Sequence, residues 1–131
     1  MRSTSLVISA LAASLALGLA SAASAQPTVI NVQLDEYKYV PMQIDLHAGQ
    51  AYVFHLTNTG SKDHDLSAKA FFATVALDPA TASKVKNGDI DVDEGESVDV
   101  AFTPRAAGSY EMHCTRPFHS MLGMKGQIVV H

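Results

Sequence analysis

From position 29 onward, apolar and polar residues alternate at period two in short runs. VINVQL (29–34), MQIDL (42–46), AYVFHLT (51–57), DIDV (89–92), SVDVAF (97–102) and SYEMHC (109–114) each put their apolar side chains mostly on one face, and GQIVV (126–130) reads as a final buried strand. Turn formers separate the runs at His47-Ala48-Gly49, Asn58-Thr59-Gly60, Glu94-Gly95-Glu96 and Ala106-Ala107-Gly108. Short strands punctuated in this way predict an all-β fold, a Greek-key antiparallel β-sandwich. Only 68–86 breaks the period. FFATVALDPATASKVK, within that span, predicts a loop carrying one or two short helical turns, interrupted at Pro79. No internal repeat and no low-complexity linker follow residue 25.

The first 25 residues carry a different pattern. One early cation (Arg2), an apolar run from Leu6 to about Ala20 and the small-residue triplet Ala23-Ser24-Ala25 predict a secretory signal peptide cleaved after Ala25. A membrane anchor, the other reading, needs about 20 apolar residues without a cleavage signal. The expected product is one periplasmic domain, 26–131, with no stable membrane insertion. Nine Lys plus Arg against thirteen Asp plus Glu give a net charge of −4, and loss of Arg2 makes the exported domain one unit more negative. Such a balance argues against nucleic acid as a partner.

Export changes the meaning of the single cysteine. In an oxidising compartment an unpaired thiol is exposed to oxidation, so Cys114 is either buried and inert or capped by a metal. The segment 113–131 holds this cysteine together with three of the six histidines and two of the five methionines. Thiolate, imidazole and thioether are the donors that soft transition metals prefer. By strand phase Tyr110, Met112 and Cys114 point inward, while Glu111 and His113 point out. His119 and Met124 follow in a C-x4-H-x4-M loop. A trigonal His2Cys site needs one further imidazole, and His64 is best placed to supply it, because it follows the strand that turns Tyr52, Phe54 and Leu56 inward. Met121 is a rival thioether. His113 is either a second-metal ligand or an exposed strand residue, His55 reads as a surface residue, and His47 and His131 carry no usable pattern. Asp89, Asp91, Asp93, Glu94, Glu96 and Asp99 form an acidic band, read as a solvated face or as a docking site for a basic partner.

Taken together, NTGSKDHDLSAKAFF, the fifty-residue spacing from His64 to Cys114, and YEMHCTRPFHSMLGMKGQIVV resemble the cupredoxins, the small type 1 blue copper proteins, over nearly all of 26–131. The loop spacing is similar to that of rusticyanin and auracyanin. The resemblance implies a cupredoxin sandwich with one copper ion, held equatorially by His64, Cys114 and His119 and axially by Met124. It also implies a one-electron carrier and not an enzyme, since such a site leaves no vacant position for substrate. A redox partner would dock on the apolar residues around His119, namely Pro117, Phe118, Met121 and Leu122. Two other functions are carried forward: copper handling or resistance, suggested by the H-x-M-x-x-M string of His119, Met121 and Met124, and a metal-free partner-binding domain. Two positions depart from the family. Asp65 stands where Asn is usual and is expected to accept from the backbone or hydroxyl of Thr115, its charge offset by Arg116 or Lys62. Phe118 stands where Gly precedes the histidine, so a loop that needs positive φ there is expected to be remodelled.

Overall fold

The computed structural model describes residues 18–19 and 25–131. The predicted signal peptide falls outside the described residues except for Gly18, Leu19 and Ala25, and no helix among the described residues is long and apolar enough to cross a membrane.

Two five-stranded sheets face each other across one core. The first sheet runs in the order β2 (Lys38–Val40), β1 (Thr28–Asp35), β4 (Tyr52–Asn58), β8 (Ser97–Thr103), β6 (Ala76–Leu77). The second runs β3 (Gln43–Leu46), β10 (Lys125–Val130), β9 (Gly108–His113), β5 (His64–Ser67), β7 (Asp89–Val92). The sandwich is therefore as expected, with one addition. Most pairings are antiparallel, but β1 with β4 and β10 with β3 are parallel.

Alternation decides which face is buried. In β4, Tyr52, Phe54, Leu56 and Asn58 are buried and their neighbours are half-exposed, the pattern of a strand with one face on the core. Val100 and Phe102 of β8 join them from the first sheet; Ile44, Leu46, Leu66, Ile90, Val92, Met112, Ile128 and Val130 meet them from the second. The last strand was expected to be buried throughout, yet it buries only Ile128 and Val130, while its other residues are exposed or half-exposed. It lies between β3 and β9 with one face open to solvent, which suits Lys125 and Gln127.

The irregular segment is held by aromatic packing. A single helical turn, α1 (Lys69–Phe72), buries Phe71 and Phe72, and Phe71 meets Phe102 edge to face at 5.5 Å and Tyr110 at 5.5 Å. The two-residue β6 comes next, and a 3₁₀ turn at Ala82–Lys84 follows Pro79, as the interrupted helical pattern predicted. Three strands escaped the sequence pattern: β2, β5 and β6. The fragment HDLS of β5 shows no alternation because all four residues are buried; it lies between β9 and β7 in the middle of its sheet.

Candidate metal centre

The pole of the sandwich where β9 ends is built by three chain crossings. Antiparallel pairing of β5 with β9 sets Ser67 opposite His113, so the start of β5 lies beside the residues that follow β9. His64 therefore opens β5 at the same pole where Cys114 leaves β9. Its position is that of a strand residue, one step beyond the loop in which the sequence pattern put it.

The 114–124 loop then returns through tight turns. His119 N–H donates to the Arg116 carbonyl, Leu122 N–H to Phe118 and His119, and Gly123 N–H to Ser120. At its close, Cys114 N–H donates to the Met124 carbonyl and Met124 N–H to the His119 carbonyl, both at 3.1 Å. The loop is thus clasped at both ends, and Cys114, His119 and Met124 are held at fixed positions. Phe118 has φ 66°, so the residue in place of the expected glycine adopts the left-handed conformation itself.

Three of the predicted residues converge. One donor atom each from His64, Cys114 and His119 lie within 4.8 Å of one another, and all three residues are buried. Nδ1 of His64 is 3.1 Å from Nδ1 of His119, which is 3.6 Å from Sγ of Cys114. Donors bound at roughly 2.0–2.3 Å to one ion must lie about 3–4 Å apart, so these separations fit a shared ion. Met124 is fully buried in the core beside them. Met121, the rival thioether, is 81 % exposed. His113 is half-buried and paired in register with Ser67 and Lys125, outside the cluster. His55 is an outward residue whose Nδ1 lies 2.6 Å from Asp99.

The electrostatics keep Cys114 and His119 ready but discharged. Burial pushes the Cys114 thiol pKa up and the nearby Asp65 carboxylate adds to this, against backbone N–H groups of Asp65 and Arg116 that favour the thiolate. Without a cation the sulfur holds its proton. Burial lowers the pKa of His119, followed by the charges of His64 and Lys62, so its imidazole stays neutral with a lone pair to offer. A metal would thus displace the thiol proton on binding.

Around the donors stands a layer the sequence only partly revealed. Asp65 accepts the Thr115 N–H at 2.8 Å and the Thr115 hydroxyl with its other oxygen, as expected for the residue in place of Asn. Of the two cations considered as its offset, Arg116 is the one that faces it, with Nε 3.8 Å away. Tyr39 donates its hydroxyl to the Asp65 carbonyl at 2.7 Å, and burial raises its phenol pKa, so it remains a donor. Buried Asn58 donates to the carbonyls of Lys62 and Val92 and accepts from Gly60 N–H, which shapes the approach to His64.

The β1–β2 hairpin supplies two residues that no motif announced. Tyr37 packs edge to face on the His119 ring at 4.9 Å. Glu36 places Oε1 3.4 Å from Nε2 of His64, a buried nitrogen with no closer partner. The carboxylate is held by Ser61 N–H at 2.7 Å and packs where a Cβ on Gly60 would sit, 2.5 Å from Oε1. Partial burial acts to raise the Glu36 pKa, but the Ser61 and Glu36 backbone N–H groups and the His64 charge outweigh it, leaving the group below its ordinary value. The contact is one of charge and not a hydrogen bond, and a negative charge beside the remote nitrogen favours the tautomer that carries its proton on Nε2 and leaves the Nδ1 lone pair toward His119. A carboxylate near a histidine 28 positions away leaves no spacing signature.

Outside the buried cluster the same loop is apolar and exposed. Phe118 is 71 % exposed and Leu122 60 %, and together with Met121 and Pro117 they form the rim around His119.

Comparison with known proteins agrees with this geometry. Residues 7–130 match the family model for the cupredoxin-like domain. A copper-resistant cuproprotein, CopI of Rubrivivax gelatinosus, is 30 % identical over 114 residues, covering 83 % of this chain and 69 % of its own. Auracyanin A, a "blue" copper protein of Chloroflexus aurantiacus, superposes with a TM-score of 0.59 at 23 % identity, over 81 % of this chain and all of its own. A multicopper oxidase of Campylobacter jejuni superposes with a TM-score of 0.62 at 15 % identity, but over only 31 % of its length against 82 % of this chain. With its two-sheet sandwich, its His-Cys-His cluster and a family match that spans the described domain, the chain belongs to the cupredoxin-like domain family.

Proposed function

We propose that this protein is a periplasmic mononuclear copper protein that carries single electrons between redox partners, with His64, Cys114 and His119 as equatorial ligands and Met124 as the axial one. The observation that carries this reading is the prebuilt cluster: two imidazole Nδ1 atoms 3.1 Å apart with the only thiol beside them, all buried. Two imidazoles, one thiolate and one thioether form a donor set acceptable to both Cu(I) and Cu(II), so the bound ion supplies one-electron redox chemistry. The chain's part is to hold those donors still. Backbone clasps fix Cys114 and Met124, Glu36 and Tyr37 orient the two rings, and the core excludes water.

Such a buried set leaves no open position for a substrate, which favours a carrier over an enzyme. His119 lies under the exposed rim of Pro117, Phe118, Met121 and Leu122, where an apolar patch suits contact with a partner protein. The deciding experiment is addition of Cu(II) to the purified 26–131 domain. An intense visible thiolate-to-copper band that bleaches and returns on reduction and reoxidation supports the carrier; absence of the band overturns it. If Phe118→Glu and Leu122→Lys leave electron-transfer rates to the cognate partner unchanged, the docking assignment is wrong.

A second reading, copper handling or resistance, is favoured by the 30 % identity to a protein described as a copper-resistant cuproprotein. It predicts copper sensitivity on deletion of the gene, and wild-type copper tolerance in a strain that carries Phe118→Glu instead. The carrier reading predicts loss of partner reduction without copper sensitivity.

A further inference from the structure

At the pole opposite the buried cluster, β3 and β10 run parallel and in register, Val130 opposite Leu46. The next residues on each, His131 and His47, are brought together by a backbone clasp: His131 N–H donates to the Leu46 carbonyl at 2.8 Å, and Ala48 N–H donates to the His131 carbonyl at 2.9 Å. The two imidazole rings lie 5.7 Å apart, centroid to centroid. Asp45, two residues before His47 on the outward face of β3, places Oδ1 3.1 Å from Nε2 of His131. Gln43 in turn donates to both oxygens of Asp45 at 3.3 Å.

From this arrangement we infer that His47 and His131, with Asp45 orienting the latter, form a second, solvent-facing binding site for a divalent transition metal such as Cu(II). The chemistry follows from the carboxylate. When Asp45 accepts the Nε2–H of His131, the tautomer is fixed with an unprotonated Nδ1, a lone pair available to a metal. Two imidazoles from adjacent strands, completed by water, suit Cu(II), Ni(II) or Zn(II), with Cu(II) bound most tightly of the three.

The site is independent of the buried one. Seven residue steps along extended β10 lead from Met124 to His131, roughly 23 Å at about 3.3 Å per step. No thiolate is within reach, so the surface site captures metal without joining the thiolate-linked centre. The sequence gives no hint of the pairing, because 84 positions separate the histidines.

The test uses the untagged 26–131 protein preloaded with one equivalent of copper, to which a second equivalent of Cu(II) is added and followed by electron paramagnetic resonance and calorimetry. Expected is a second signal with nitrogen couplings and no visible thiolate band. His47→Ala or His131→Ala should weaken that second binding by about tenfold or more, and Asp45→Asn by less than either. His55→Ala, which removes a different exposed histidine beside a carboxylate, should leave it unchanged. The same signal should appear in Cys114→Ser, which separates failure of this site from failure of the buried one. Absence of a second bound equivalent, or a second equivalent indifferent to both histidine substitutions, overturns the inference.

Discussion

The 114–124 loop and the β1–β2 hairpin enclose the same two histidines, but they do so by different means. The loop brings residue types whose chemistry is self-evident: one thiol, one imidazole and a buried thioether at regular spacing. The hairpin brings a carboxylate and a phenol that coordinate nothing and act only by where they stand, Glu36 behind His64 and Tyr37 against His119. A metal centre thus has two layers, and only the inner one is written in residue identity. The outer one is written in register.

Experiments can break this division or sharpen it. The largest effect is expected from Cys114→Ser, which removes the only thiolate: copper affinity should fall by several orders of magnitude and the visible band should vanish, as read by competition titration and absorption. Next come the two methionines of the loop. Met124→Ala opens a cavity in the core and should destabilise the fold by about 2–5 kcal/mol in chemical denaturation. Met121→Ala, at an exposed site, should stay within about 0.5 kcal/mol of wild type. Equal costs at both positions would contradict the assignment of inner and outer thioethers.

The hairpin is tested by Glu36→Gln, which keeps the shape and removes the charge. A carboxylate on the remote nitrogen makes His64 a stronger donor and stabilises the more highly charged ion, so its loss should weaken Cu(II) binding by about 10–100-fold and raise the reduction potential. Gly60→Ala should move the potential in the same direction by pushing the Glu36 carboxylate aside, with a smaller effect because the side chain can yield. An unchanged potential in both would show that the outer layer only covers the site.

The smallest effect is a pH dependence of the metal-free protein. His119 has its pKa lowered by folding, so the unfolded chain binds more protons as pH falls below the ordinary value of 6.5, and stability drops through that range toward the depressed folded value. Cys114 has its pKa raised, so the unfolded chain loses its proton first as pH climbs past 9.0, and stability drops again. Thermal melts should therefore peak between those limits. A melting temperature that rises steadily below 6.5 would contradict the burial of a neutral His119.

How much of this was legible follows from the same contrast. Strands with one face on the core declare themselves, as β4 and β8 do through clean alternation. The strand that carries His64 does not, since HDLS is buried on both faces and its Asp65 finds its partner fifty positions away in Thr115. The inner donors could be proposed from Cys114, His119 and Met124 because a loop fixes their spacing. Glu36, Tyr37, Tyr39 and Asn58 act across chain separations that only the parallel and antiparallel pairings define. Phe118 was read as a residue that positive φ would exclude, yet it takes that conformation itself, in a turn closed by the backbone N–H groups of Leu122 and His119.

That last residue has a further meaning. A non-glycine residue in the left-handed region costs about 1–2 kcal/mol relative to glycine, and this one also displays a whole aromatic ring to water. Stability alone would favour Phe118→Gly on both counts. If the rim is the docking surface proposed above, this benzyl group is the handle of it, and Phe118→Gly should loosen the partner's hold while leaving the buried cluster intact.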